Sequence, residues 1–205
     1  MSAFARPIAK PVSNASSHYP LFLGLAGRRV VVVGGGSVAA RKVDELLGAG
    51  ARVRVVALRV DGAIRDLANQ RRVELTERAF EASDLDDAWL AVAATSDPNA
   101  NECVAAASEA RRIFVNAVDD PSRASAFFGS IVRRGPFTIA ISSDGELPAL
   151  SRLLREVLEQ VLPGESWVAA ARTLRARWRT ENVPMADRFG ELVATFRKCP
   201  PPLPP

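Results

Sequence analysis

Four consecutive valines, Val30–Val33, run directly into three consecutive glycines, Gly34–Gly36. An apolar run of this kind is typical of a strand that is buried on both faces of a parallel sheet. The segment that begins at Ser37 is rich in alanine and charged residues, and its apolar residues recur at helical spacing: Val38, Val43, Leu46 and Leu47. The sequence therefore predicts a buried strand, a turn without side chains and a helix that follows at once.

The turn fits a dinucleotide-binding pattern. Gly34, Gly36 and Ala39 make the sequence G-x-G-x-x-A, with Gly35 as an additional glycine. The first glycine permits a tight turn, the second lets a pyrophosphate approach the backbone, and the small third residue lets helix and strand pack closely. The free N–H groups of the helix N-terminus would face the phosphates. Because the pattern lies between a predicted strand and a predicted helix, it indicates a nucleotide site.

The end of the second strand does not decide between NAD and NADP. It reads Ala57, Leu58, Arg59, without the acidic residue that usually binds the ribose of NAD. Arg59 would suit the additional phosphate of NADP, but it is equally well explained as a solvated strand end.

Strands and helices alternate as far as residue 118, which predicts a parallel sheet with right-handed crossovers. We assign the chain to the α/β class, with a Rossmann-type dinucleotide-binding domain over residues 19–119. The predicted strands after the first are 51–58, 73–75, 88–95 and 113–118. Asp61 and Asp97 are expected to cap two of the helices, and Pro98 strengthens the second start.

The pattern changes after Asp120. Two strand-like runs, SAFFGSIV and FTIAISS, flank RRGP and predict an antiparallel hairpin. Helical segments follow from Pro148, the first with a broad apolar stripe that we expect to face another subunit. We predict a dimerisation region over 120–148, a small helical domain over 149–199, and tails over 1–18 and 200–205.

Composition limits the other classes of function. Only one histidine, His18, and two distant cysteines, Cys103 and Cys199, are present, so we predict no resident metal site of the zinc type and no disulfide. The formal charge is +4, and the basic residues are scattered among few aromatics, so we expect no nucleic-acid partner. No apolar run is long enough for a membrane span, and we expect a cytoplasmic protein.

A second motif, NAVDDP, ends the fifth strand at residues 116–121. It brings Asn116, Asp119 and Asp120 into one turn at the edge where parallel sheets bind their ligands. One aspartate is explained by a turn before Pro121. We interpret the other as a general base facing the cofactor.

Four stretches together resemble the precorrin-2 dehydrogenase family, which forms the N-terminal part of bacterial siroheme synthases. They are VVVVGGGSVAARKVDELLGAGARVRVVAL, LAVAATSDPNANECVAAAS, IFVNAVDDP and AISSDGELPALSRLLREVLEQVLP. The resemblance covers residues 19–163 in order. It implies a homodimer that oxidises precorrin-2 to sirohydrochlorin with NAD⁺, and many members also insert ferrous iron to give siroheme.

The resemblance also assigns residues. The essential aspartate of the family matches Asp119, and a serine near the substrate, phosphorylated in some members, matches Ser143. The NAD contacts match Ser37, Val38, Leu58 and Arg59, with Ala94 and Thr95 beside them, and the family's use of NAD without an acid at the second strand favours NAD here. Asn116 and Arg134 are further substrate candidates. A polycarboxylate substrate would also suit other arginines of this region: Arg123, Arg133, Arg152 and Arg155.

Two alternatives remain open at this point. One is a dehydrogenase that leaves iron insertion to a separate chelatase, and the other is a Rossmann module that senses a dinucleotide without chemistry. The chain departs from the family around the substrate region, where Gly129 replaces a proline and Arg133 replaces an acidic residue.

Overall fold

The structure is a computed structural model that describes residues 18–143, 146–162 and 164–197. The predicted C-terminal tail, the predicted N-terminal tail up to residue 17, and Cys199 lie outside the described residues. The chain divides into two compact units, Met1–Phe128 and Gly129–Pro205.

The first unit contains a five-stranded parallel sheet in the order β3-β2-β1-β4-β5. Its strands are β1 (Arg29–Val33), β2 (Arg52–Val56), β3 (Glu74–Thr76), β4 (Leu90–Ala93) and β5 (Phe114–Ala117). Its helices are α1 (Ser37–Gly48), α2 (Gly62–Asn69) and α3 (Pro98–Ala110), with short 3₁₀ turns at Ala82–Leu85 and Pro121–Arg123. The predicted Rossmann-type sheet is confirmed.

The core lies on both faces of this sheet, which is why the strands read as continuous apolar runs. Alternate valines of β1 face opposite sides. Val30 and Val32 pack with α1 residues on one face, and Val31 and Val33 pack with α3 residues on the other. All four are almost completely buried.

The second unit begins with an antiparallel hairpin of β6 (Ser130–Arg134) and β7 (Phe137–Ile141). The predicted antiparallel pairing is confirmed, but its turn is shorter than RRGP, because Arg133 and Arg134 belong to β6. Gly135, at φ +53°, and Pro136 form the two-residue turn. A Cβ atom at Gly129 would collide with the carbonyl oxygen of Ile141. The departure from proline at this position therefore accompanies a close approach of the two backbones.

Three helices follow: α4 (Pro148–Val161), α5 (Glu165–Thr180) and α6 (Met185–Arg197). Helix α4 packs on the hairpin, and α5 packs on α6 through the stacked rings of Trp167 and Phe196. None of the helices in the described ranges combines the length and the apolarity needed to span a bilayer.

Candidate functional site

The carboxyl ends of β1 and β4 meet in the middle of the sheet. The N–H group of Ala94, which follows β4, donates to the carbonyl of Val33 at 2.8 Å, and Gly34 follows β1 directly. Strand order reverses between β1 and β4, because the crossovers that follow them run to opposite sides. Open α/β sheets bind ligands at this kind of switch point.

Gly34 and Gly35 are needed by the protein's own backbone. Gly34 has φ +124°, which disfavours any side chain, and a Cβ there would collide with the carbonyl of Ala94. A Cβ at Gly35 would collide with the carbonyl of Arg59 in the loop after β2. Both glycines are buried. They let the glycine turn after β1 lie directly against the loops that follow β2 and β4.

Gly36 differs from its two neighbours. It is exposed, and a Cβ built on it would meet nothing within 4 Å. Gly36 is also the N-cap of α1, which has no side-chain cap and no acidic residue in its first turn. By contrast, Asp61 caps α2 by accepting from the N–H of Ala63, and Asp97 caps α3 by accepting from the N–H of Asn99.

The first turn of α1 thus keeps its N–H groups without side-chain acceptors, beside open space. Unsatisfied amides at a helix N-terminus favour an anion. Ser37 is exposed and Val38 is half-buried, and both lie in this turn. Ala39 is fully buried against the β1 face of the core, as the pattern predicts. The residues present therefore fit a pyrophosphate at the backbone of residues 36–38.

The loop after β2 borders the same turn. The N–H of Asp61 donates to the carbonyl of Gly35 at 2.6 Å, which ties the loop to the glycines. Leu58 and Arg59 are exposed beside this contact, with Leu58 at 74%. The acidic residue nearest to the end of β2 is Asp61, whose carboxylate is already used as a helix cap.

Thr95 is held by a residue that sequence reasoning missed. Its N–H donates to Asn101 Oδ1 at 3.1 Å, its hydroxyl lies 2.8 Å from the same oxygen, and its carbonyl accepts from Asn101 Nδ2 at 3.0 Å. The loop after β4 is therefore clamped to the first turn of α3. The available signal was the position of Asn101, four residues after the N-cap Asp97.

The two aspartates of NAVDDP have different environments. Asp119 is exposed, adopts the left-handed region at φ +62°, and its carboxylate has no partner among the described residues. Asp120 accepts from the hydroxyl of Ser122 at 2.6 Å and from Arg123 Nη1 at 3.0 Å. The hydroxyl of Ser122 and the charge of Arg123 lower the pKa of Asp120. Asp120 is therefore the turn residue, and Asp119 is the carboxylate that is left available.

Asn116 lies on β5 and is buried. Its amide Nδ2 donates to the carbonyl of Ala126 at 2.9 Å, and the N–H groups of Ser125 and Ala126 donate to the carbonyl of Val115. The SAFF segment, which the sequence predicts as strand, instead covers the free edge of β5 through these bonds. The prediction of a strand over SAFF is therefore wrong, because the N–H groups of Ser125 and Ala126 bond to the exposed edge of β5 and not to the other strand of the hairpin.

Apart from Arg123, the other substrate candidates belong to the second unit. Ser143 Oγ accepts from the N–H of Leu147 at 3.1 Å and lies 3.0 Å from the hydroxyl of buried Ser151, so it holds the start of α4. Arg134 donates to the carbonyl of Glu159 at the end of α4. Three of the remaining arginine candidates are paired with carboxylates: Arg123, Arg152 and Arg155. The side chain of the fourth, Arg133, has no partner among the described residues.

Comparison with known proteins places this geometry in a family. Residues 21–130 match the model of a family described as "Putative NAD(P)-binding". The chain belongs to this NAD(P)-binding family. Because the matched region includes the glycine turn and the loops after β2, β4 and β5, the family and the geometry agree on a nicotinamide dinucleotide as cofactor.

Individual relatives of this NAD(P)-binding chain have more specific names. Siroheme synthase 1 of Serratia proteamaculans is 41% identical over 174 residues, which are 85% of this chain and 36% of the relative. Siroheme synthase of Citrobacter koseri is 46% identical over 173 residues, which are 83% of this chain and 38% of the relative. The chain thus spans little more than a third of the length of these relatives.

A solved structure named SirC, precorrin-2 dehydrogenase, is similar over nearly its whole length. The match covers 86% of this chain and 88% of the SirC chain, with a TM-score of 0.69 and 26% sequence identity. The resemblance stated from the sequence is thereby confirmed.

Proposed function

We propose that the chain oxidises precorrin-2 to sirohydrochlorin with NAD⁺, in siroheme biosynthesis in the cytoplasm. The observation that carries this proposal is the placement of Asp119. Its carboxylate is exposed, has no partner in the described part of the chain, and lies at the carboxyl edge of the sheet that also carries the dinucleotide turn. The similarity to SirC over most of both chains supports the choice of substrate.

The reaction removes a hydride and a proton from the tetrapyrrole. The dinucleotide supplies the hydride acceptor when bound. The backbone of residues 36–38 would bind its pyrophosphate, Leu58 and Arg59 would border its ribose, and Ala94 and Thr95 would border the central part of the crevice. Asp119 would take the proton, because a free carboxylate can act as a general base, a role worth about 10²–10⁴-fold in rate.

We infer NAD rather than NADP. Arg59 is exposed and has no partner among the described residues, so geometry alone permits the additional phosphate of NADP. The resemblance to a family that uses NAD without an acid at this position favours NAD. Titration with both dinucleotides tests the choice, and tighter binding of NADP⁺ would contradict it.

The substrate side of the proposal rests on the family match. Asn116, Ser143 and Arg134 are proposed to lie near the tetrapyrrole, although each already makes a hydrogen bond within its own unit. Arg133, whose side chain has no partner within the described ranges, is the arginine best able to meet a substrate carboxylate. We also propose that the chain acts as a homodimer, with 120–148 as dimerisation region between a domain of 19–119 and a helical domain of 149–199.

An anaerobic assay with precorrin-2 and NAD⁺ tests the function directly. We expect NADH formation by the parent, a loss of about 10²–10⁴-fold in Asp119→Ala, and a smaller loss in Asp120→Ala. Asp66→Ala, which removes an exposed carboxylate on α2, is expected to leave the rate unchanged. Dinucleotide affinity, measured on every variant, separates chemistry from binding.

Three results would change the proposal. Dinucleotide binding without any turnover by the parent would favour the sensing module. Activity of Asp119→Ala within about threefold of the parent would assign the proton to another acceptor. Addition of Fe²⁺ after the oxidation tests iron insertion, with ferrous iron as substrate. No siroheme at that stage would leave a dehydrogenase that depends on a separate chelatase.

A further inference from the structure

The loop that carries Asp119 is weakly closed by its own backbone. The N–H of Asp120 reaches the carbonyl of Ala117 at 3.5 Å, and the next two backbone bonds, from Arg123 to Asp120 and from Ala124 to Pro121, are 3.3 Å long. Hydrogen bonds of this type are normally 2.7–3.2 Å long. Asp119 itself adopts the left-handed conformation at φ +62°, which is unfavourable for most L-residues. On the other side, the N–H of Val118 donates to the carbonyl of Ala93 at 2.9 Å. The backbone therefore holds the residue before Asp119 firmly, whereas it holds the turn that follows Asp119 only weakly.

Side chains supply the short contacts of the turn that follows Asp119. Arg123 Nη1 lies 3.0 Å from Asp120 Oδ2, and Arg123 Nη2 lies 3.2 Å from Glu102 Oε2 on α3. The guanidinium thus bridges the residue next to Asp119 to a helix in the same unit. Because its fork is planar and rigid, Arg123 can make both contacts at once and fix their relative direction.

The first turn of α3 also holds the cofactor loop. Asn101 clamps Thr95 after β4, and Glu102, the next residue, receives Arg123. Adjacent residues of one helix therefore anchor the loop expected to border the dinucleotide and the loop that presents the carboxylate. A helix is rigid over so short a distance, so these anchors fix the two loops relative to each other.

We propose that Arg123 is a positioning residue for Asp119, acting through Asp120 and through Glu102 on α3. This inference rests on the proposed function. Arg123 is paired with two acids and so is removed from the set of arginines expected to meet substrate carboxylates. Its role is to keep Asp119 aimed at the crevice, because rates fall steeply when a reacting group is displaced by as little as 1 Å.

Steady-state kinetics of Arg123→Gln tests the proposal. Because exposed ion pairs contribute up to about 1 kcal/mol each, we expect kcat to fall about 3- to 10-fold. The KM and the dissociation constant for NAD⁺ should stay within about twofold of the parent. Arg123→Lys should recover part of the loss, since lysine keeps the charge but lacks the fork.

Two further variants separate positioning from a general loss of charge. Glu102→Gln should lower kcat in the same direction, and the double variant should be no slower than Arg123→Gln, because the two residues act in one network. Arg112→Gln changes an exposed arginine just after α3 whose side chain has no partner among the described residues, and it should leave kcat unchanged. An unchanged kcat in Arg123→Gln, or fully additive losses, would overturn the proposal.

Amide hydrogen exchange gives a readout that does not depend on turnover. Exchange of residues 117–124 should be faster in Arg123→Gln than in the parent, with α1 unchanged. If the parent shows no precorrin-2 oxidation, the proposed function fails, whereas the exchange result still reports on the anchoring of the loop. Equal exchange in parent and variant would contradict the positioning role.

Discussion

At the scale of the single residue, three adjacent glycines have different tasks. Gly34 and Gly35 give the backbone room, whereas Gly36 faces open space at the uncapped start of α1. We therefore expect Gly36→Asp to keep its melting temperature without ligand and to lose the NAD⁺-dependent rise, because its carboxylate would repel the pyrophosphate. Gly34→Ala should instead destabilise the fold, by about 2 kcal/mol, because of its φ angle and the collision with Ala94.

Thermal melting with and without NAD⁺ measures both effects. Gly190→Asp, the same substitution at another exposed glycine whose added Cβ meets nothing within 4 Å, should retain the full ligand-dependent rise. A rise of normal size in Gly36→Asp would show that the dinucleotide does not lie on this turn.

Asp84 is the buried carboxylate of the first unit, with its side chain 1% exposed. It accepts a two-pronged pair of hydrogen bonds from Arg78, both 2.8 Å, and Arg54 Nη2 lies 3.1 Å away. Burial raises the pKa of Asp84, but hydrogen bonds from Arg78 and from the N–H of Glu81, with the charges of Arg78 and Arg54, outweigh it, so the pKa lies below its usual value.

Because the pKa of Asp84 is lowered in the folded state, the contribution of its ionised carboxylate to the free energy of unfolding is lost in acid. The stabilisation is complete above the unfolded pKa of about 3.9 and is lost as pH falls through the lower folded pKa. We expect Asp84→Asn to lower the free energy of unfolding by about 3 kcal/mol at pH 7, because it leaves two arginines without their buried anion. The decrease in the free energy of unfolding between pH 7 and acid pH should also be smaller in this variant.

Urea unfolding between pH 7 and pH 3 checks this prediction. Glu77→Gln is the matched control, because Glu77 makes the same two-pronged pair with Arg65 at 2.9 Å but is 41% exposed. Solvent screens that pair, so its loss should be far smaller. Equal losses in the two variants would mean that burial at Asp84 contributes nothing.

At the scale of the element, three helices end in the same way. After α1, Gly50 donates to Leu47 and Ala51 donates to Leu46, with Gly50 at φ +77°. The ends of α2 and α3 repeat these two bonds, but arginines occupy the left-handed position: Arg71 and Arg112, each at φ +57°. Glycine is the residue that favours this position.

We therefore expect Arg71→Gly to raise the free energy of unfolding by about 0.5–1 kcal/mol, since relief of the left-handed strain exceeds the added flexibility of the unfolded chain. Arg72→Gly is the control one residue away, where φ is not positive, and it should destabilise or be neutral. Chemical unfolding measures both. Stabilisation of equal size in the two variants would attribute the effect to charge and not to backbone strain.

The elements that sequence predicts best are those whose own residues determine them. The valines of β1, the glycine turn and the capped starts of α2 and α3 are local signals, and all lie where they were expected. The SAFF segment is apolar enough for a strand, but its backbone is taken by the edge of β5. Sequence reasoning missed both Asn101 and Ser151. The position of Asn101 four residues after the N-cap Asp97 was a local signal for its contact with Thr95, whereas nothing in the sequence marks the contact of Ser151 with Ser143.

At the scale of the whole molecule, α4 presents an apolar surface that its own unit does not cover. Six side chains at the start and along the length of this helix are 44–55% exposed: Leu147, Leu150, Leu153, Leu154, Val157 and Val161. Contiguous apolar surface on a soluble chain is typical of an interaction site. A second copy of the chain is the partner we expect, because two-fold homodimers are the commonest assembly.

A charge placed in this stripe should separate the copies. In a two-fold interface Leu153→Glu introduces the charge twice, and burying an unpaired carboxylate is costly, so we expect dimer affinity to fall by at least about 100-fold. Light scattering over a dilution series should give twice 22.0 kDa for the parent and 22.0 kDa for the variant. Met185→Glu changes an apolar side chain of α6 that is 77% exposed and lies outside the stripe, so that variant should remain dimeric. A parent mass of 22.0 kDa at every concentration would contradict the dimer, and a dimeric Leu153→Glu would move the interface away from α4.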